Sequence, residues 1–340
     1  GAPNPNVVMI QGPPGTGKTH TIVEMLKECE GRAIVCVSTN VGAANVYARC
    51  VQAELECSLV LAPSKMPPGT PLGSNSPCAK IVCCTVSGRN GPLLLHQQFD
   101  EVYLDEAGQC TEAHAWGLWR PEVRRIVMVG DVQQLPATVS EKSRNLGYDR
   151  SLMQRLTALR YPVRLLGTQR RMHPDIVSLP NRLMYDSRLH TEYNPPDRSS
   201  SDQTPAPYGV VDCDGEDKPV GTSYVNEREA KLAIELATQL ATTFADVVII
   251  APYQAQCRYL LAQKSNFVVH TVDSFQGREA DAVVLSVVRT QCAGFWSDSR
   301  RLNVALTRAK HCLRVVGAAG KWSGPLQEVY LDAVQRKCLQ

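Results

Sequence analysis

The chain has 340 residues, more than one compact core usually holds, so two domains of ~100 to 200 residues each are expected. A hydrophobic share of 44% and a charged share of 20% exclude a disordered or fibrous protein, and no apolar run approaches the ~18 residues of a membrane span, which excludes a membrane partner. The formal charge of +3 is too mild to announce a nucleic-acid partner, so any such surface has to be local.

The apolar run Val7 to Ile10 predicts a buried strand, and Gly12-Pro13-Pro14-Gly15-Thr16-Gly17-Lys18-Thr19 follows it directly, ahead of a helical stretch to about Cys29. Strand, glycine-rich turn and helix in that order predict a phosphate-binding loop. Its chemistry needs these residue types. Glycines let backbone N–H groups cradle phosphates, Lys18 reaches the β- and γ-phosphates, and the Thr19 hydroxyl takes a Mg2+ position. Gly12, Pro13, Gly15, Thr16, Gly17, Lys18 and Thr19 are therefore the expected ligands of a nucleoside triphosphate. No signal or transit peptide stands at the start, and the first strand begins within a few residues of Gly1, so the chain is expected to be the core of something longer.

Strand-like Ala33 to Val37, a helical stretch near Gly42 to Glu56, strand-like Lys80 to Thr85, Glu101 to Leu104 and Arg125 to Val129 come next. Continuous Val/Ile/Leu strands between helices predict a parallel sheet covered on both faces, an open doubly wound α/β domain over residues 1–160. Its ligands belong at the carboxyl ends of the strands. The alternation restarts with Val163 to Leu166, helix Glu227 to Thr242, and strands Asp246 to Ala251, Phe267 to Thr271, Ala282 to Val288 and Cys312 to Val316, which predicts a second α/β lobe over residues 161–340. Ala62 to Pro77 and Asn194 to Pro207 read as mobile surface loops. The 13 cysteines form no C-x-x-C pair and several sit in apolar strands, as expected of buried thiols in a reducing, intracellular compartment.

Asp105-Glu106 ends a strand of the first lobe, where one carboxylate is expected to hold Mg2+ and the next to polarise the attacking water. Gly130-Asp131-Val132-Gln133-Gln134-Leu135-Pro136 also follows a strand and offers a glutamine to a γ-phosphate or its water. In the second lobe, Gln169-Arg170-Arg171-Met172-His173-Pro174 and Asn303 to Ala309 present arginines near element boundaries. Cleavage of a phosphoanhydride benefits from such cations, which stabilise transition-state charge.

This ordered set resembles the superfamily 1 helicases, in the branch of the nonsense-mediated-decay, senataxin and coronavirus helicases. The phosphate loop looks like motif I, Asp105-Glu106 like motif II and Gly130 to Pro136 like motif III. Gly147 to Leu152 is similar to the segment that leads out of the first lobe. Gln169 to Pro174, Pro252 to Gln256, Val272 to Glu279 and Arg300 to Lys310 look like the later motifs, so the resemblance covers nearly the whole chain. It implies two tandem RecA-like doubly wound domains with ATP in the cleft between them, and a monomer that moves 5′ to 3′ on single-stranded RNA or DNA. Lys18 and Thr19 then bind phosphate and Mg2+, Asp105 holds the metal, Glu106 is the general base and Gln134 senses the γ-phosphate. Arg171 and Arg308 act as arginine fingers assisted by Gln256, while Glu279 holds the ribose with Gly277 beside it. Thr39, Asn40, Thr85 and Ser274 fall along the nucleic-acid backbone, although Ser, Thr and Asn equally serve as helix caps and turn residues.

Two departures from the branch matter. Arg170 stands where cellular members carry an adenine-stacking aromatic, and coronavirus helicases look similar there; a guanidinium also stacks on a ring. The spacing from Thr19 to Asp105 is too short for the accessory domain many cellular relatives insert, leaving only the loop Ala62 to Pro77. A nucleic-acid clamp that binds ATP without unwinding is the alternative, against which the complete set Lys18, Asp105, Glu106, Gln134, Arg171 and Arg308 argues. A P-loop kinase or GTPase would need an acceptor site or a base-reading motif that this chain lacks.

Overall fold

In the computed structural model, residues 6–70, 74–195, 205–263, 266–290 and 294–340 are described. The chain divides into two compact units, Gly1–Gly167 and Thr168–Gln340.

The first unit runs β1 (Asn6–Gln11), α1 (Lys18–Lys27), β2 (Ala33–Val37), α2 (Asn40–Gln52), β3 (Cys57–Val60), β4 (Ile81–Thr85), β5 (Glu101–Leu104), α3 (Glu112–Trp116), β6 (Arg125–Gly130), α4 (Glu141–Asn145), α5 (Leu152–Ala158) and β7 (Val163–Leu165). Its seven strands make one sheet in the order β3-β4-β2-β5-β6-β1-β7, with every pairing parallel. The alternation of strand side chains explains why both faces are covered. Ile34, Cys36, Val82, Cys84, Val102, Leu104, Ile126 and Met128 pack on one side with Leu94, Phe99, Leu118, Leu152 and Met153. Val35, Val37, Ile81, Cys83, Tyr103, Val127 and Val129 pack on the other, against Ile22, Val23 and Leu26 of α1 and Ala43, Val46 and Cys50 of α2. At about 1.5–3 kcal/mol for each fully buried aliphatic side chain, these two layers outweigh any single polar contact in the unit.

The second unit runs β8 (Thr168–Gln169), α6 (Pro174–Met184), β9 (His190–Thr191), β10 (Tyr208–Asp212), β11 (Lys218–Val220), β12 (Ser223–Val225), α7 (Glu227–Leu240), β13 (Val247–Ala251), α8 (Gln254–Ala262), β14 (Val268–Thr271), β15 (Ala280–Ser286), α9 (Ser299–Leu306), β16 (Ala309–Gly317) and α10 (Pro325–Gln335). Five strands form a second parallel sheet, β10-β16-β15-β13-β14, while β11 and β12 make an antiparallel hairpin. Ala230, Ala233 and Ala237 place a smooth face of α7 on Ile249, Val284 and Cys312 of this sheet.

Two doubly wound parallel-sheet units of the RecA-like kind are thus present, and the break between them lies beyond the one expected after residue 160. The sequence alternation places Val163–Leu165 in the second lobe. Instead it pairs with Met9–Gln11 and closes the free edge of β1, because an apolar triplet states its propensity and not its partner. Of the two segments read as mobile loops, residues 71–73 and 196–204 lie outside the described residues. Among the described residues no helix is long and apolar enough to cross a membrane.

Candidate functional site

In the first unit the phosphate loop leaves β1 pinned to the neighbouring strand, since the Gly12 amide donates to the Gly130 carbonyl at 2.8 Å. Gly15 and Gly17 take φ of 76° and 82°, the left-handed region in which glycine is at ease. The Thr16 hydroxyl ties the turn to the Pro13 carbonyl at 2.7 Å. A Cβ on Gly12 would lie 2.3 Å from Lys18 Cγ, so a glycine there makes room for the lysine to fold back over the loop. Lys18 Nζ donates to the Gly12 carbonyl at 3.1 Å and stands 3.7 Å from Glu106 Oε1.

Thr19 Oγ1 donates to Asp105 Oδ2 at 3.2 Å, which joins α1 to the end of β5. Asp105 is buried, and desolvation first, then the charge of Glu106, push its carboxyl up to about 6 against the pull of Lys18, the Glu106 amide and Thr19. Glu106 has φ 52°, uncommon for a residue with a side chain, and accepts from Gln109 Nε2 at 3.2 Å. A hydroxyl and a buried carboxylate with unmet charge are the hard oxygen donors that suit Mg2+.

Two further glycines bring the turn after Glu106 onto the end of β6. A Cβ on Gly130 would meet Gly108 N at 2.6 Å, and one on Gly108 would meet the Asp131 carbonyl at 2.6 Å. The next residue, Asp131, is buried and accepts from Gln134 Nε2 at 2.8 Å, from the Gln133 amide at 3.0 Å and from Gln11 Nε2. Gln134 is therefore joined through Asp131, by two hydrogen bonds, to Gln11 at the end of β1.

Thr39 and Thr85 lie at the ends of the adjacent strands β2 and β4, and both hydroxyls work locally. Thr39 caps α2 by accepting from the Gly42 amide at 3.0 Å, Thr85 accepts from the Gly88 amide at 3.0 Å, and Asn40 opens the helix.

The second unit gathers another set. Arg171 Nε is 2.5 Å from Glu279 Oε2, and Arg171 Nη1 donates to the Thr307 carbonyl at 3.3 Å. Arg308 follows that residue and is buried, donating to the Val304 carbonyl at 2.8 Å, the Arg278 carbonyl at 3.1 Å and the Thr307 hydroxyl at 3.0 Å. Gly277, at φ 79°, lets the chain turn ahead of Glu279. Arg170 is exposed and pairs with Glu192 at 2.7 Å. Ser274 is exposed in a turn closed with Thr271, whose amide donates to Ser274 Oγ at 3.1 Å while its hydroxyl accepts from the Ser274 amide at 3.2 Å.

Gln256 departs from its expected place. Its side chain is fully buried and, among the described residues, hydrogen-bonds to Asn226 and Ser286 rather than to Arg171, Arg308 or Glu279, because it bridges the start of α7 and the end of β15.

Sequence reasoning missed Gln11, Asp131, Gln169 and Glu229. Gln11 and Asp131 are the polar residues that end two apolar strands, and that position was the available signal. Gln169 is buried and holds the arginine turn, accepting from the Arg171 and Met172 amides at 3.0 and 2.8 Å. Glu229 is buried in α7, and desolvation pushes its carboxyl up to about 8 despite hydrogen bonds from Ser286, Val288 and Val287. Nothing in the polar-apolar pattern of that helix announced it.

Residues 148–320 match the AAA domain family, and residues 2–69 and 77–142 match a second AAA domain family. A regulator of nonsense transcripts 1 homolog of Neurospora crassa is 30% identical over 386 residues, covering 91% of this chain and 35% of its own length. The regulator of nonsense transcripts 1 of Dictyostelium discoideum is 34% identical, with 71% and 20% covered. The probable helicase senataxin of Homo sapiens is 35% identical, with 70% and 10% covered. The chain thus spans about a third or less of these relatives. Among solved structures, an arterivirus nonstructural protein 10 helicase with DNA aligns at a TM-score of 0.59 and 17% identity, covering 95% of this chain and 63% of that one, which is a likeness of fold.

Proposed function

Because the chain belongs to the AAA-domain helicases of superfamily 1, in the branch of the nonsense-transcript regulators and senataxin, we propose that it is an ATP-dependent helicase or translocase acting on single-stranded RNA or DNA, 5′ to 3′. The observation that carries this reading is the convergence of Lys18, Thr19, Asp105 and Glu106 within one unit, each within 4 Å of another. The named helicases among the relatives support the same activity.

Lys18, satisfied by the Gly12 carbonyl, exchanges that partner for the β- and γ-phosphates as the loop amides close on them. Thr19 and Asp105 would hold Mg2+, which would supply positive charge to the desolvated Asp105 carboxylate and to the phosphates. Glu106 takes the proton of the attacking water, with Lys18 Nζ 3.7 Å from its carboxylate. Gln134, tied through Asp131 to the end of β1, senses the γ-phosphate. Arg171 and Arg308 supply charge to the transferring phosphoryl group, Glu279 takes the ribose and Arg170 the base. The strand runs over Thr39, Asn40, Thr85 and Ser274; the Thr39 and Thr85 hydroxyls accept local amides, which leaves their O–H groups to donate to phosphates without reading sequence.

The test is ATP hydrolysis by the purified chain with and without single-stranded RNA or DNA. Strand-stimulated turnover is expected, and Glu106→Gln is expected to lower it roughly 10²- to 10⁴-fold. Strand binding without hydrolysis under any of these conditions would replace the reading with a clamp.

A further inference from the structure

α7 opens with Asn226 as its N-cap, whose side-chain oxygen accepts from the Glu229 amide at 3.1 Å. Asn and Glu three apart at a helix start ordinarily close a reciprocal box, in which the glutamate returns to the N-cap amide. Here Gln256 of α8 has taken that amide, accepting it at 2.8 Å, and its Nε2 donates to the Asn226 carbonyl at 3.1 Å and the Ser286 hydroxyl at 3.0 Å. Glu229 is released to reach the end of β15. Its Oε1 accepts from Ser286 Oγ at 2.6 Å and from the Val288 amide at 2.7 Å, and Asn226 Nδ2 donates to the Val288 carbonyl at 3.3 Å. Asn226, Glu229, Gln256, Ser286 and Val288 all have 0% exposure.

What they grip is strained. Val288 has φ 73°, a left-handed conformation that a β-branched residue adopts only when its surroundings dictate it. Beyond the kink, the Thr290 amide and hydroxyl donate to Asp217 at 2.9 and 2.5 Å, and Arg289 pairs with the same carboxylate at 2.9 Å while its guanidinium lies 3.9 Å from the Tyr224 ring centre. Trp296 Nε1 returns to the Val287 carbonyl at 3.0 Å just before α9, and the end of α9 supplies the Val304 and Thr307 oxygens that hold Arg308.

We propose that Glu229 and Gln256 are positioning residues for Arg308: by locking the left-handed turn at Val288 they fix the Val287 carbonyl on which Trp296 docks ahead of α9, and what Arg308 then does rests on the ATPase reading above. The lock is built from α7, α8 and the end of β15, so Gln256 acts on Arg308 through the turn at Val288.

Glycine takes a positive φ without strain, so Val288→Gly removes the need for a lock while Glu229→Ala removes the lock itself. In the full chain, Glu229→Ala is expected to speed amide exchange across residues 286–290. It should also lower strand-stimulated kcat roughly tenfold to a hundredfold with the KM for ATP unchanged. The double variant with Val288→Gly is expected to recover both, and Glu229→Gln, which keeps Oε1, to stay near the parent chain. Should Glu229→Ala fail to fold, Ser286→Ala deletes one donor to Oε1 and gives the same exchange readout. Unchanged exchange in the alanine variants, or no recovery with Val288→Gly, overturns the proposal. If the parent chain shows no strand-stimulated turnover, the ATPase reading fails while exchange and its rescue by glycine still decide the role of Glu229.

Discussion

Asp105 and Glu229 are both carboxyls whose ionisation burial opposes, but their surroundings differ. Around Asp105 the loop supplies the charge of Lys18 and the hydroxyl of Thr19, both of which favour ionisation. Around Glu229 there are only hydroxyl and amide donors, and the charge of Asp217 works against ionisation. The consequence is a pH dependence with a definite direction. Below the ordinary value of 4.5 the folded and unfolded chains both hold the Glu229 proton; as pH rises toward about 8 the unfolded chain gains by ionising and the folded chain does not. Stability relative to Glu229→Gln, which cannot ionise, is therefore expected to fall across that window by on the order of a few kcal/mol. Urea midpoints of the two chains at pH 5 and pH 8 measure it, and parallel pH profiles would sink it. The residue scale is also where the sequence was least legible. Lys18, Asp105 and Glu106 lie in short runs whose spacing carries their meaning. Glu229 meets Val288, Gln256 meets Ser286 and Arg308 meets Arg278 across about 30 to 60 residues, a separation over which local pattern says nothing.

At the scale of elements, the turn after β5 meets the end of β6 closely, where Gly108 and Gly130 let two backbones touch. Gly130→Ala drives a methyl into the backbone of residues 107 and 108, with no flexible side chain there to yield. It is expected to cost about 1–3 kcal/mol of stability in a urea melt. Gly320→Ala, which meets nothing within 4 Å, is expected to be near neutral. An equal effect of the two would show that the approach relaxes cheaply. The long apolar strands, α1 and α2 of the first unit and α7 of the second are readable from the sequence to within a few residues, whereas α6, α8, α9 and α10 are not. The edge strands Cys57–Val60 and Tyr208–Asp212 were not, since each is short and gains its identity from a partner, β4 or β16. Val163–Leu165 was read as a strand but given the wrong sheet for the same reason.

On the scale of the whole molecule, each unit has its own sheet and its own buried layers. Residues 6–167 are therefore expected to fold alone, to melt in one transition and to retain a phosphate-binding loop, yet to show no strand-stimulated hydrolysis, because Arg171 and Arg308 belong to the other unit. Calorimetry with and without ATP, followed by a turnover assay, measures both halves of that expectation, and stimulated turnover by the fragment would remove the arginines from the mechanism. The strand order of the first sheet has one more consequence, in time rather than in space. β1, which carries the phosphate loop, pairs only with β6 and β7, the last two strands of its unit to be synthesised. A nascent chain emerging from the ribosome displays the glycine-rich loop long before residues 125–130 arrive to hold it, and such distant pairings form late. The motif that can be recognised first in the sequence is thus among the last parts of the protein to acquire its shape, so an interrupted translation product carries the signature without a working phosphate grip.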